Sequence, residues 1–139
     1  MNGYSKDALY NELKRDEGYE EKPYLCSANK LTIGIGHNLE DRGLSESQIE
    51  SIFWDDIQVA ERDLNAIYPD WRELSDARQR VLLNMVFNLG RTTLSKFVKM
   101  WAAIKEERWE RAAAEMLDSK WANQVGDRAK RLAVLMING

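Results

Sequence analysis

The chain has 139 residues, of which 31% are charged and 44% hydrophobic, and its formal net charge is −3. This composition predicts one soluble globular folding unit with a substantial core. The net charge argues against nucleic-acid binding, and neither a membrane-spanning apolar run nor a signal peptide is present. A single cysteine excludes an internal disulfide. The sequence has no Cys/His cluster and no phosphate-binding loop, so we expect no cofactor and no metal.

The first predicted element is a helix from Ser5, its expected N-cap, to Glu17, with Gly18 suited to the position after the last turn. Leu9, Leu13 and Glu17 recur at helical spacing, which predicts that one face packs on the core and partly buries Glu17. Burial and the negative end of the helix dipole both favour a protonated carboxyl, as a general acid requires. The alternative is an ordinary glutamate in solvent.

A hairpin is predicted next, with strands at Pro23–Cys26 and Leu31–His37. Ser27–Lys30 supplies the turn, in which Asn29 can adopt a left-handed conformation. Along the second strand, Thr32 and two glycines share one face. Strand glycines indicate either the close approach of a ligand or another backbone, or a bulge or tight packing contact, and the pattern leaves both open.

Helical periodicity covers most of the remaining chain. Ser45 and Gln48 form a capping box for a long helix that Pro69 stops. Ser75 caps the next helix, and Gly90 ends it. This helix is apolar over much of its circumference, so we expect it at the centre of a helical lobe. Three further helices are predicted, at Ser95–Lys105, Arg108–Leu117 and Asp127–Ile137.

The predicted fold class is α+β. A small lobe of about residues 18–50 holds the hairpin, and a long helix joins it to a larger all-helical lobe that includes the N-terminal helix. We expect residues 1–139 to form a single catalytic domain, with a cleft between the lobes suited to an extended polymer.

The segment from Glu17 to His37 resembles the active-site region of phage lysozymes of the T-even type, glycoside hydrolase family 24. That family carries Glu, eight residues, Asp or Cys, five residues and Thr, and Glu17, Cys26 and Thr32 fit this spacing. The run Thr32–His37 is also typical of the family. Further similar segments are Asn84–Gly90, Arg108–Ala113, Trp121–Gln124 and Arg128–Arg131. The resemblance covers nearly the whole chain and implies a lysozyme-like fold.

The resemblance implies an endolysin: a muramidase that hydrolyses the β-1,4 bond between N-acetylmuramic acid and N-acetylglucosamine in bacterial peptidoglycan, for host-cell lysis. Glu17 would protonate the leaving oxygen. Cys26 stands where the family more often has Asp, and three roles stay open: thiolate nucleophile, water-positioning group or minor contributor. Thr32 would hold a water or orient Cys26. Taken alone, Cys26 also fits a buried structural thiol.

Phe87, Asn88 and Asn38 are predicted to bind substrate. Peptidoglycan is the expected partner, and we expect a monomer that binds neither nucleic acid nor membrane. By resemblance, it would start in the host cytoplasm and reach the periplasm and cell wall once a holin-type protein has permeabilised the membrane. Two other functions stay open: a lytic transglycosylase on the same polymer, and a non-catalytic wall-binding or structural module of a phage particle.

Overall fold

The computed structural model describes residues 3–139 and shows two units, one ending at Glu50 and the other beginning at Ser51. The first unit contains α1 (Lys6–Glu17), β1 (Glu20–Leu25), β2 (Leu31–Gly34), β3 (His37–Asn38) and α2 (Leu39–Arg42). Helix α3 (Glu46–Ile67) contains the division. The mostly helical chain with a small antiparallel sheet confirms the predicted α+β class. The single catalytic domain, with the N-terminal helix in the helical lobe, stays a prediction.

Both ends of α1 form as the sequence predicts. The Ser5 hydroxyl accepts a hydrogen bond from the Ala8 N–H at 3.2 Å, which satisfies one of the free amides of the first turn. At the other end, Gly18 adopts φ +89° and its N–H bonds to the Lys14 carbonyl. A left-handed residue is easiest for glycine, so Gly18 ends the helix directly after Glu17.

The predicted burial of the α1 face is wrong. Leu9 and Leu13 are 39% and 41% exposed, Glu17 is exposed, and the helix contains no buried residue. The helix is dominated by charged side chains and has only two leucines on the expected face, which is too narrow an apolar stripe to require a core position. Glu17 is therefore an exposed residue at the end of the helix.

The sheet has the order β1-β2-β3 with antiparallel pairing throughout. Tyr24 pairs with Thr32 and Leu25 with Leu31, and the pairing is irregular between Glu20 and Tyr24. The turn from β1 to β2 is the one expected from the sequence, and its Asn29 has the predicted left-handed conformation at φ 63°.

The predicted single strand Leu31–His37 is two strands. Gly34 and Gly36 adopt φ +67° and +64°, a region that other residues rarely occupy, so the chain reverses between them. As a result β3 folds back on β2 and pairs Thr32 with Asn38. The glycine pattern marks a tight turn, and Gly36 does not share a strand face with Thr32.

Helix α3 begins with the predicted capping box. The Ser45 N–H donates to Gln48 Oε1 at 2.8 Å, and the Gln48 N–H donates to the Ser45 hydroxyl at 3.2 Å. The helix ends two residues before Pro69, which opens a short 3₁₀ helix, Pro69–Glu73. Along residues 3–139, no helix is both long and apolar enough to cross a bilayer.

The second unit holds the buried core. Its remaining elements are α4 (Asp76–Leu89), α5 (Arg91–Ser95), α6 (Val98–Lys105), α7 (Trp109–Leu117), α8 (Lys120–Val125) and α9 (Asp127–Asn138). Helix α4 contributes Val81, Leu82, Met85 and Val86, all buried, which confirms its central position. The helix predicted from Ser95 starts later, and α5 and α8 are separate short helices that apolar periodicity does not resolve.

Candidate active site

Glu17 is the last residue of α1, and its side chain lies against the turn between β2 and β3. A β-carbon on Gly36 would be 3.0 Å from Oε2 and 3.1 Å from Cβ of Glu17. Such distances are closer than ordinary van der Waals contact, so a side chain at residue 36 would force the Glu17 side chain to shift by a few tenths of an ångström. The strand glycines predicted either the approach of a ligand or backbone, or a bulge or tight packing contact. At Gly36 the structure shows tight packing, and the group packed against it is the Glu17 side chain.

Tyr24 connects the end of α1 with the sheet, a contact that the sequence analysis missed. Its hydroxyl donates to the Glu17 backbone carbonyl at 3.5 Å, a long hydrogen bond. Tyr24 is also directly opposite Thr32 in the β1–β2 pair. The side chains of paired residues on antiparallel strands project from the same face of the sheet. Thr32 therefore lies on the same face as Tyr24, the residue that bonds to the Glu17 carbonyl.

Cys26 lies at the start of the turn between β1 and β2, where it is half-buried. Its N–H donates to the Lys30 carbonyl at 3.0 Å, and its carbonyl accepts from the Asn29 N–H at 2.8 Å. Hydrogen bonds from the backbone N–H groups of Lys30 and Ala28, followed by the Thr32 hydroxyl, lower the pKa of the Cys26 thiol. The turn thus favours an anion at this side chain.

Thr32 is 3% exposed, and its hydroxyl donates to the Lys30 carbonyl at 2.8 Å. A hydroxyl has a single proton, which can be donated to one strong acceptor at a time. The Thr32 hydroxyl therefore either holds the turn, as it does in this structure, or turns its proton toward the Cys26 thiolate. The Lys30 carbonyl accepts from both the Thr32 hydroxyl and the Cys26 N–H, and so joins two of the three residues predicted for the catalytic set.

Asn38, expected to bind substrate, is the N-cap of α2. Its Oδ1 accepts from the Asp41 N–H at 3.0 Å, and its Nδ2 donates to Asp41 Oδ2 at 3.0 Å. Both ends of the side-chain amide therefore already have partners within the chain. A direct contact with substrate stays a prediction.

Phe87 and Asn88 lie in the second unit, near the end of α4. Phe87 is 48% exposed, and its ring centroid is 6.2 Å from that of Phe53, whose ring packs edge-on against Trp54 at 4.8 Å. Phe87 is thus a surface residue beside other exposed aromatic rings. Asn88 accepts a 2.7 Å hydrogen bond from the buried Trp121 indole, which fixes its side chain.

We expect Phe87→Ala to raise the substrate concentration needed for half-maximal activity more than it lowers stability. The ring is half-exposed, so its removal leaves no closed cavity, whereas a sugar ring would lose its stacking surface. Melting temperature and saturation kinetics on solubilised wall fragments are the measurements. A large fall in melting temperature with unchanged kinetics would assign Phe87 to the core instead.

We expect Gly36→Ala to reduce activity strongly. The new methyl group would displace the Glu17 carboxyl, and a left-handed alanine adds strain of roughly 1–2 kcal/mol. Gly43→Ala is the matched control, because Gly43 is also left-handed at φ +58° but has open space around the missing β-carbon. Equal activity losses in the two variants, measured with their melting temperatures, would show that strain alone is responsible.

A small antiparallel sheet in a mostly helical chain makes this a lysozyme-like α+β fold, the fold of a class of glycoside hydrolases. The chain belongs to the phage lysozyme family, whose sequence model matches residues 14–136.

Three relatives illustrate this similarity. Two are described as probable T4-type lysozymes 2 and 1 of Dictyostelium discoideum, 28% and 26% identical, with alignments covering 95% of this chain and 95% of each relative. The third, the pre-baseplate central spike protein Gp5 of Enterobacteria phage T4, is 26% identical over 91% of this chain and 27% of its own length. The first two alignments span 161 positions, more than the 139 residues here, so those relatives carry residues that this chain lacks.

Proposed function

We propose that this chain is a muramidase that hydrolyses the β-1,4 bond between N-acetylmuramic acid and N-acetylglucosamine, with Glu17 as the general acid. Membership of the phage lysozyme family supports the substrate class. The observation that carries the assignment of Glu17 is its position at the end of α1, with its carboxyl packed against Gly36, a glycine with a left-handed φ in the β2–β3 turn.

The first chemical step is proton donation from Glu17 to the glycosidic oxygen as the bond to the anomeric carbon breaks. Glu17 is exposed in the free chain, so an extended glycan can reach it directly. The bound polymer, rather than the protein core, then removes water from the carboxyl.

The second step needs a group that attacks the anomeric carbon or activates a water. Cys26 is suited to this position because the donors of its turn lower its thiol pKa and so stabilise the thiolate. Thr32 orients this side chain through the proton that it can turn toward the sulfur. Whether the thiolate attacks the sugar itself or positions water decides whether the product retains or inverts the anomeric configuration.

We place this activity in host-cell lysis, as an endolysin acting on the peptidoglycan of the host. In this proposal the enzyme is a monomer that accumulates in the host cytoplasm. It reaches the periplasm and cell wall after a holin-type protein opens the membrane. The phage lysozyme family supports this role.

Clearing of outer-membrane-stripped bacterial cells, combined with product analysis, tests the proposed function. A muramidase lowers turbidity within minutes and releases one new reducing end for each bond cleaved. Anhydro-sugar products would identify a lytic transglycosylase instead. Wall binding without any turbidity loss would identify a non-catalytic module, a role compatible with the similarity to a phage spike protein.

A further inference from the structure

Lys30 is the last residue of the turn between β1 and β2, which begins at Cys26 and is called the Cys26 turn below. Its carbonyl accepts hydrogen bonds from the Cys26 N–H at 3.0 Å and from the Thr32 hydroxyl at 2.8 Å. Its own N–H is the largest of the influences that lower the pKa of the Cys26 thiol. The carbonyl of Lys30 therefore binds the Cys26 backbone and the Thr32 side chain, two residues that the proposed reaction uses alongside Glu17.

The side chain of Lys30 is bound by the carboxylates of α2. Its Nζ lies 3.3 Å from Asp41 Oδ1 and 3.5 Å from Glu40 Oε2. The other carboxylate oxygen of Glu40 accepts from the Leu31 N–H at 3.3 Å, so one glutamate contacts two successive residues at the end of the turn. The α2 helix thereby fixes the turn through an ammonium group and a backbone amide.

Asp41 is itself held from the opposite side. Asn38 donates to Asp41 Oδ2 at 3.0 Å, which leaves Oδ1 directed at Lys30. A single exposed ion pair contributes little to stability. Here one cation lies between two carboxylates, and the Asn38 amide fixes one of them, so the group forms a network with a defined geometry. This network lies between the start of α2 and the Cys26 turn.

We propose that Lys30 is a positioning residue for Cys26, fixed in place by the two carboxylates of α2. The consequence for catalysis rests on the proposed function, whereas the effect on the thiol does not. Replacing the Lys30 side chain leaves its peptide N–H and carbonyl intact. Any change at the sulfur must then come from displacement of the turn or from loss of the ammonium charge, and the experiment separates these two causes.

The test measures the rate of Cys26 alkylation by iodoacetamide at neutral pH in the full chain, which has no other cysteine. We expect Lys30→Met to slow alkylation about two- to fivefold, because a displaced N–H stabilises the reactive thiolate less. Lys30→Arg keeps the cation and should restore the rate. Lys22→Met is the matched control, since it removes an exposed lysine of β1 outside this network and should leave the rate unchanged.

The double variant Glu40→Gln with Asp41→Asn separates positioning from charge. It keeps the Lys30 ammonium but removes its anchors, so positioning predicts slower alkylation. A direct charge effect predicts faster alkylation, because the variant loses two negative charges and keeps the ammonium. Faster or unchanged alkylation in the double variant overturns the proposal, as does a Lys30→Met variant that behaves like Lys22→Met.

Wall lysis by the same variants links the turn to the reaction. We expect Lys30→Met to lower the lysis rate by about the same factor as the alkylation rate, with Lys30→Arg again restoring it. Slower alkylation with unchanged lysis would overturn the assignment of Lys30 as a positioning residue for the reaction. If the unaltered chain does not cleave peptidoglycan, the proposed function fails, while the alkylation rates, which need no substrate, still decide whether Lys30 positions Cys26.

Discussion

Glu17→Gln is expected to abolish clearing of outer-membrane-stripped cells while leaving the melting temperature nearly unchanged. The amide keeps the size and shape of the carboxyl but has no acidic proton to donate, and a general acid contributes on the order of 10² to 10⁴ in rate. The side chain is exposed and ends a helix that contains no buried residue, so folding loses little. Lysis rate and thermal unfolding of the same preparation are the two measurements.

Glu12→Gln is the matched control for this variant. Glu12 is an exposed glutamate on the same helix, so the substitution makes the same change in charge and shape away from the helix end. We expect it to lyse cells at the unaltered rate. A Glu17→Gln variant that clears cells as fast as the Glu12 control would remove Glu17 as the general acid.

The parts of the fold that follow from local hydrogen bonding could be predicted from the sequence. The cap of α1 at Ser5, the capping box at Ser45 and the left-handed Asn29 each depend on residues at most three positions apart. The central position of α4 was also predictable, because its apolar residues cover too much of the helix for a surface location.

The parts that depend on nonlocal packing could not be predicted. Periodicity assigned Leu9 and Leu13 to a buried face, but it contains no information on whether a partner surface covers them. Alternation extended one strand through Gly34 and Gly36, although both have backbone angles that reverse the chain. For such glycines, a tight hairpin turn competes with a continued strand, and the sequence pattern is compatible with both.

The candidate site shows the same division. Spacing placed Glu17, Cys26 and Thr32 in one set, and the structure adds how two of them are joined through the peptide groups of Lys30. The contributions of Lys30 and Tyr24 were missed because their important contacts involve backbone atoms. Backbone donors leave no signature in residue type, so a turn that stabilises an anion becomes visible only in three dimensions.

Cys26→Asp is expected to retain substantial lytic activity, whereas Cys26→Ala should lose most of it. The Lys30 and Ala28 N–H groups that lower the thiol pKa are equally suited to a carboxylate, so an aspartate would find donors already in place. Alanine offers neither a nucleophile nor an acceptor. A thiol-blocking reagent should likewise inhibit the unaltered chain and leave the Asp variant active.

A structural role for the thiol predicts the opposite order. A thiol that only fills space tolerates alanine at a modest packing cost, and an unpaired aspartate in its place would destabilise the turn. Lysis rates and melting temperatures of the Asp and Ala variants, measured together, separate these cases. Full activity of Cys26→Ala with an unstable Cys26→Asp would remove Cys26 from the reaction and leave Glu17 and Thr32 to carry it. If the three proteins have similar melting temperatures, and lysis is fastest in the unaltered chain, slower in Cys26→Asp and slowest in Cys26→Ala, Cys26 occupies the second catalytic position.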